Sequence, residues 1–400
     1  EIPPLDWDGT PIPEEVFEHP LIDEAAWVAL RDSGRDPLEQ SELVTTHQSR
    51  VEFLVGAWMI DKIVPVRMGG SLLKNLQPQM LREADVLAAE RFKNAVLMPR
   101  RSSKTTSLWC VLLGRCWMRP LHMAGYTMMT TAKKAGERFK LDVRDPITRK
   151  WRTKSDRPVK LTEGNGALGV EFDNGSKLAV LTPNGDDVRS GAYDTLVMDE
   201  AGEAEPDMWE DIIAAVVPSF DTRGEGAQLI LAGTGGKYRE SSYFWTVLHD
   251  PGSGRLRYGV PDDIDEELLT SWEAGAGRLI EPMHPGLDGL TTLDKIRANF
   301  PDLGAARFAL EYLGHFGKAT GNDTIMPGVS WAKTTQPGTP PEGITPGALA
   351  FAVHPGGAWS SVAVAWHLED AEPDLARAAW KLDGLDEATP PRAGFKLIHH

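Results

Sequence analysis

The sequence predicts an α/β fold built on a mainly parallel sheet, and three observations carry that prediction. Short apolar runs of strand length alternate with longer segments whose apolar residues recur at helical spacing, as strand–helix–strand units require. Two of those runs, residues 95–98 and 195–198, end directly on polar and charged residues: Pro99-Arg100-Arg101-Ser102-Ser103-Lys104-Thr105-Thr106 after the first, and Asp199-Glu200 after the second. Open α/β sheets bind ligands just beyond the carboxyl ends of their strands, so both placements suit that architecture. Finally, 400 residues with 41% apolar content are enough for a sizeable core and two or three domains.

Along the chain, residues 1–45 are acidic with scattered proline and read as a loosely packed arm. Residues 52–63 and 79–92 show helical spacing and lead to the strand at 95–98, after which 105–117 reads as a helix opened by the polar turn. A strand at 126–129 and a basic helix at 132–141 follow. Residues 171–181 predict a hairpin, because Asn174-Gly175 supplies the positive φ angles of a tight turn. Next come the strand at 195–198, a helix through 209–216, the strand at 228–232 and a helix at 305–312. Residues 317–347 are dense in Gly, Pro and Thr and read as a linker. Beyond it, 348–353 and 360–366 read as two strands joined by His354-Pro355-Gly356-Gly357. The expected organisation is therefore an arm (1–45), a first domain (46–316), the linker (317–347) and the start of a second domain (348–400).

Composition excludes several classes. No apolar stretch approaches the roughly 20 residues of a membrane helix; the run at 108–113 stops at Gly114-Arg115. The first residues are acidic and proline-rich, unlike a secretory leader. Cys110 and Cys116 are the two cysteines, so no disulfide framework exists and a reducing cytoplasm is expected. A first residue Glu1 rather than Met leads us to expect that the 400 residues are part of a longer product. Net charge is −16, yet residues 91–160 hold 18 Lys and Arg against 4 Asp and Glu, a local +14. A basic segment on an acidic chain fits a protein that handles nucleic acid through one surface. His122, His315 and His354 are too scattered for a metal role, and Trp109, Trp117 and Trp209 lie in helix-like segments and read as core.

The two polar strand ends carry phosphate chemistry. Binding a triphosphate needs a turn of backbone N–H groups, a lysine for the outer phosphates, a hydroxyl and a carboxylate for Mg²⁺, and a group that positions water. Lys104, Thr105, Asp199 and Glu200 supply these groups, with Ser102, Ser103 and Thr106 completing the turn. The departure from GxxxxGK[ST] is that Met98 and Ser103 replace both glycines. Glycine before the lysine lets the backbone approach the phosphates and adopt unusual φ/ψ, and serine there costs about 1 kcal/mol of strain.

At Arg100-Arg101-Ser102-Ser103-Lys104-Thr105 the chain resembles the large subunit of tailed-phage DNA-packaging terminases, whose Walker A motif reads Arg-x-x-Gly-Lys-Thr. The resemblance extends to Arg189-Ser190-Gly191 and Asp194 to Ala201 as a Walker B region, to Leu229 to Gly235 as a coupling motif, and to Glu311-Tyr312-Leu313-Gly314 with Trp331 closing the domain. It implies an additional-strand, RecA-like P-loop ATPase domain followed by an RNase H-like nuclease domain. The implied roles are phosphate binding by Lys104, Mg²⁺ ligation by Thr105 and Asp199, water activation by Glu200, an arginine finger at Arg100 with Arg101 in reserve, and γ-phosphate sensing by Thr234. In Leu76-Gln77-Pro78-Gln79, Gln79 is the implied reader of the adenine edge. The resemblance also implies ATP, double-stranded DNA, a portal protein, a small terminase subunit, a homo-oligomeric ring at the procapsid portal, and the host cytoplasm as the place of action. Ala352 stands where the nuclease pattern calls for Asp, so no DNA cleavage is expected; Glu369, Asp370 and Asp383 read as solvated surface. Two other classes answer to the same residues: a nucleic-acid helicase or translocase outside any capsid, and a non-hydrolysing nucleotide-binding scaffold.

Overall fold

The computed structural model describes residues 12–61, 70–164, 167–189, 191–239 and 242–317, together with the backbone of strands 348–353, 360–368 and 394–399. Two compact units result, Glu1–Gly321 and Asn322–His400. In chain order the first contains α1 (Glu14–Phe17), α2 (Glu24–Asp32), β1 (Glu39–Gln40), α3 (His47–Met59), α4 (Pro78–Ala88), β2 (Lys93–Leu97), α5 (Lys104–Met118) and β3 (Met123–Met128). It continues with α6 (Ala132–Phe139), α7 (Asp145–Lys150), β4 (Val159–Gly164), β5 (Ala167–Phe172), β6 (Lys177–Val180), α8 (Gly185–Arg189), β7 (Thr195–Asp199) and α9 (Pro206–Ser219). It ends with β8 (Gln228–Gly233), α10 (Tyr243–His249), β9 (Gly254–Arg257), α11 (Gly277–Met283) and α12 (Leu293–Tyr312).

These strands form one nine-stranded sheet in the order β1-β9-β2-β8-β7-β3-β6-β5-β4. Every pairing from β9 through β6 is parallel, while β6-β5-β4 is an antiparallel meander and β1 runs antiparallel to β9. The strand β8 lies between β2 and β7, so an additional strand separates the two strands that deliver the polar residues, as expected. All residues of β7 and β8 are buried, which explains their continuous apolar runs. Alternate side chains fill opposite faces: Val96, Tyr126, Val197 and Ile230 join one core, and Ala95, Leu97, Leu196 and Leu231 the other. A third core, containing Ile280, Ile296, Phe308 and Tyr312, gathers α11 and α12.

Several details position the polar turn. The α3 and α5 helices meet backbone to backbone, since a Cβ on Gly56 would lie 1.8 Å from the Cys110 carbonyl oxygen and one on Gly114 1.7 Å from that of Glu52. At the far end of α5, the buried Arg115 donates to Thr195 Oγ1 at 3.1 Å and to the Leu87 carbonyl at 3.0 Å. The expected hairpin is present as β5 and β6, with Gly175 at φ +83° and the Asn174 amide donating to the Cys116 and Trp117 carbonyls. Trp109, Trp117 and Trp209 are buried, and both cysteines are buried and form no disulfide.

Three expectations need correction. The N-terminal stretch is packed rather than loose over its described part: Trp27 is fully buried and donates to the Asp85 carboxylate at 3.0 Å, joined there by Arg31 at 2.8 Å and Thr45 at 2.6 Å. Its acidic average hides three buried apolar anchors, Val16, Leu21 and Trp27. The helix read at 52–63 begins at His47, because Thr46 and Ser49 form a reciprocal capping box. The helix read at 305–312 starts at Leu293 and kinks at Gly304, whose φ is +72°. The short β1 and β9 gave too brief a pattern to read.

In the second unit, β10 (Ala348–Val353), β11 (Ser360–Leu368) and β12 (Gly394–His399) form an antiparallel sheet in that order, with Ala352 paired to Ser361. Residues 318–347, with Trp331, and Ser190, His354, Glu369, Asp370 and Asp383 lie outside the described residues. Among the described residues no helix is long and apolar enough to cross a membrane.

Candidate nucleotide-binding site

The site begins where β2 ends. Pro99 to Ser103 form a turn that opens α5 at Lys104, and two of its residues, Arg101 (φ +67°) and Ser103 (φ +64°), hold the left-handed conformation that glycine adopts freely. Between them Ser102 is buried, its hydroxyl without a hydrogen-bond partner. The first N–H groups of the 15-residue α5 have no intrahelical acceptors. A buried orphan hydroxyl, a helix N-terminus and a buried ammonium fit a bound phosphate.

Across the turn, Lys104 Nζ is ion-paired with Asp199 Oδ1 at the end of β7. Thr105 Oγ1 donates to Asp199 Oδ2 at 2.8 Å, and the Tyr126 hydroxyl to the same oxygen at 3.1 Å. Burial opposes both charges of the pair, but each partner outweighs it: Asp199, with Glu200, raises the Lys104 pKa, and Lys104 lowers that of Asp199. Thr105 and Asp199 together offer the oxygen donors that Mg²⁺ prefers. Glu200, at φ +55°, is close enough to raise the pKa of both Lys104 and Arg100. Behind the turn, burial pushes the Glu83 carboxyl well above the ordinary range.

A second constellation surrounds Glu311 near the end of α12. Its buried carboxylate accepts from Arg100 Nε at 2.5 Å and Nη2 at 2.8 Å, pairs with Arg307 at 2.5 Å, and takes a long 3.4 Å hydrogen bond from Thr234 Oγ1. Arg307 also reaches Glu203, just past the β7 acids, at 2.8 Å. Glu311 draws the Arg100 pKa upward.

The structure thus brings Arg100, Ser102, Ser103, Lys104, Thr105, Asp199, Glu200 and Thr234 together at the carboxyl ends of β2, β7 and β8. Arg101 points its exposed side chain outward from the same turn, and Thr106 lies in the first turn of α5. Gln79 is placed differently from an open adenine reader: it is buried, and its Nε2 donates to the Ser102 carbonyl at 3.2 Å, propping the turn. Sequence reading missed the roles of Glu311, Arg307 and Tyr126, as well as His284, which donates to the Arg100 carbonyl. Only the Arg307–Glu311 spacing of one helical turn was a usable signal.

No protein-family model matches the chain, and no curated protein sequence does. Among solved structures, that of the HK97 bacteriophage large terminase is similar over 79% of this chain and 65% of its own length, with a TM-score of 0.50 at 14% identity. The ATPase domain of the Thermus phage P74-26 large terminase is similar over 57% of this chain and 91% of its own, with a TM-score of 0.38 at 14% identity. The large terminase of the thermophilic bacteriophage D6E in complex with ADP is similar over 45% of this chain and 43% of its own, with a TM-score of 0.32 at 11% identity. This chain therefore spans 65% of the HK97 protein it matches. At such identity the HK97 likeness is one of fold: the chain has a large-terminase-like α/β fold.

Proposed function

We propose that the chain is the ATPase motor of a viral DNA-packaging machine, hydrolysing ATP with Mg²⁺ to drive double-stranded DNA through a portal protein into a procapsid. It works as a ring of like copies, with a small terminase subunit, in the host cytoplasm. The observation that carries this reading is the meeting of Lys104 and Thr105 with Asp199, about 95 positions away, with Glu200 and Arg100 beside them. Lys104 binds the outer phosphates, Glu200 orients the attacking water, Arg100 leaves Glu311 to stabilise charge at the γ-phosphate, and Thr234 relays its loss. Mg²⁺, held by Thr105 and Asp199, supplies neutralisation of phosphate charge. Charge supports the DNA part: Lys133, Lys134, Lys140, Arg149, Arg152 and Lys154 are all exposed in the basic segment. With Ala352 at the expected aspartate position, the proposal includes no DNA cleavage.

The test is steady-state ATP hydrolysis with and without linear duplex DNA. Lys104→Ala abolishes turnover, while Glu200→Gln still binds MgATP and turns over about 10²-fold slower or worse. Normal turnover in both variants rejects the site; a rate indifferent to DNA removes the motor and leaves a plain nucleotide hydrolase.

A further inference from the structure

We propose that His284 is a positioning residue that holds the glycine-free phosphate turn in its nucleotide-receiving shape, with Gly286 providing the space this requires. The inference rests on reading the turn as a MgATP site. His284 is fully buried just after α11. Its Nδ1 accepts from the Gly286 N–H at 3.1 Å, which leaves the ring proton on Nε2, and Nε2 donates to the Arg100 carbonyl at 2.9 Å. Burial pushes its pKa down to about 4, so the ring is neutral and one tautomer is maintained.

The Arg100 carbonyl belongs to the peptide that leads into Arg101, so the direction of that oxygen is coupled to the positive φ of Arg101. The neighbouring groups are gripped as well. The Arg100 N–H donates to the Glu311 carbonyl at 2.8 Å, and Gln79 holds the Ser102 carbonyl. The Arg101 carbonyl lies only 2.0 Å from where a Cβ on Gly286 would stand. The 284–286 loop is itself tied down by Arg35, which donates to the Glu281 carbonyl at 2.7 Å and to Asp288 at 3.1 Å. A glycine-rich turn needs no such grip; here the surrounding elements supply what Arg101 and Ser103 cannot.

The test is calorimetric titration with MgATP, paired with steady-state hydrolysis. His284→Ala and Gly286→Ala each weaken MgATP binding about tenfold and raise KM with little change in kcat, as loss of a strain-holding contact predicts. His284→Gln, which keeps an N–H donor, recovers most of the affinity. In an Arg101→Gly background the His284→Ala and Gly286→Ala penalties shrink to about threefold or less, because glycine takes that φ unaided. Wild-type affinity in His284→Ala and Gly286→Ala, or equal penalties in both backgrounds, overturns the inference while leaving the nucleotide site standing. Should His284→Ala not fold, Gly286→Ala in the two backgrounds decides. Failure of the unaltered protein to bind MgATP overturns the proposed function, and this inference with it.

Discussion

Lys104 and Asp199 neutralise one another in a place with little water, so each depends on the other for its charge. Removing one partner leaves the other buried and unpaired, and Asp199→Asn is expected to destabilise the protein by about 3–5 kcal/mol. Urea unfolding checks this, and the Lys104→Met/Asp199→Asn double variant is expected to lose less than Asp199→Asn alone. Glu311 is the corresponding hub for Arg100, Arg307 and Thr234. Its arginine partners are part-exposed, so Glu311→Gln costs only about 1–2 kcal/mol. Its larger expected effect is on turnover, because Arg100 loses its resting partner; hydrolysis rates at saturating ATP measure it.

Among the elements, α5 matters most, because it carries the phosphate turn at one end and is anchored by Arg115 at the other. Its closest neighbour is α3, and the two cross where glycines remove the side chains between them. Gly114→Ala drives a methyl group into the Glu52 carbonyl and separates the helices, with an expected loss of about 3 kcal/mol. Thermal unfolding reports the loss, and an unchanged midpoint would refute the close crossing. The strand ends were legible at this scale. Apolar runs that end on the polar turn leading to Lys104 or on Asp199-Glu200 carry their own signal, and the alternation along β2, β7 and β8 reflects two covered faces. The packed N-terminal segment was not legible, because Val16, Leu21 and Trp27 are isolated apolar residues in an acidic stretch and Trp27 meets Asp85 only 58 positions later.

For the molecule as a whole, two buried histidines set an acid limit. Burial, with Arg115, Arg119 and Arg223 nearby, pushes His122 down to about 2, and burial pushes His284 to about 4. Unfolded histidine titrates near 6.5, so below that pH the unfolded chain binds protons that the folded one refuses. Stability therefore falls as pH drops, by about 1.4 kcal/mol per pH unit for each group, until the folded value is reached. Urea midpoints between pH 7 and pH 4.5 should show the slope, and His284→Gln should flatten it.

By itself the sequence determined the α/β class and the residues at the two polar strand ends, because each is a local pattern of a few adjacent side chains. Tertiary structure alone decided that Arg100 rests on Glu311, 211 positions away, that His284 reaches its carbonyl across 184, and that Gln79 supports the turn from below. Periodicity reports that a face is covered, but which single residue covers it depends on how distant elements dock.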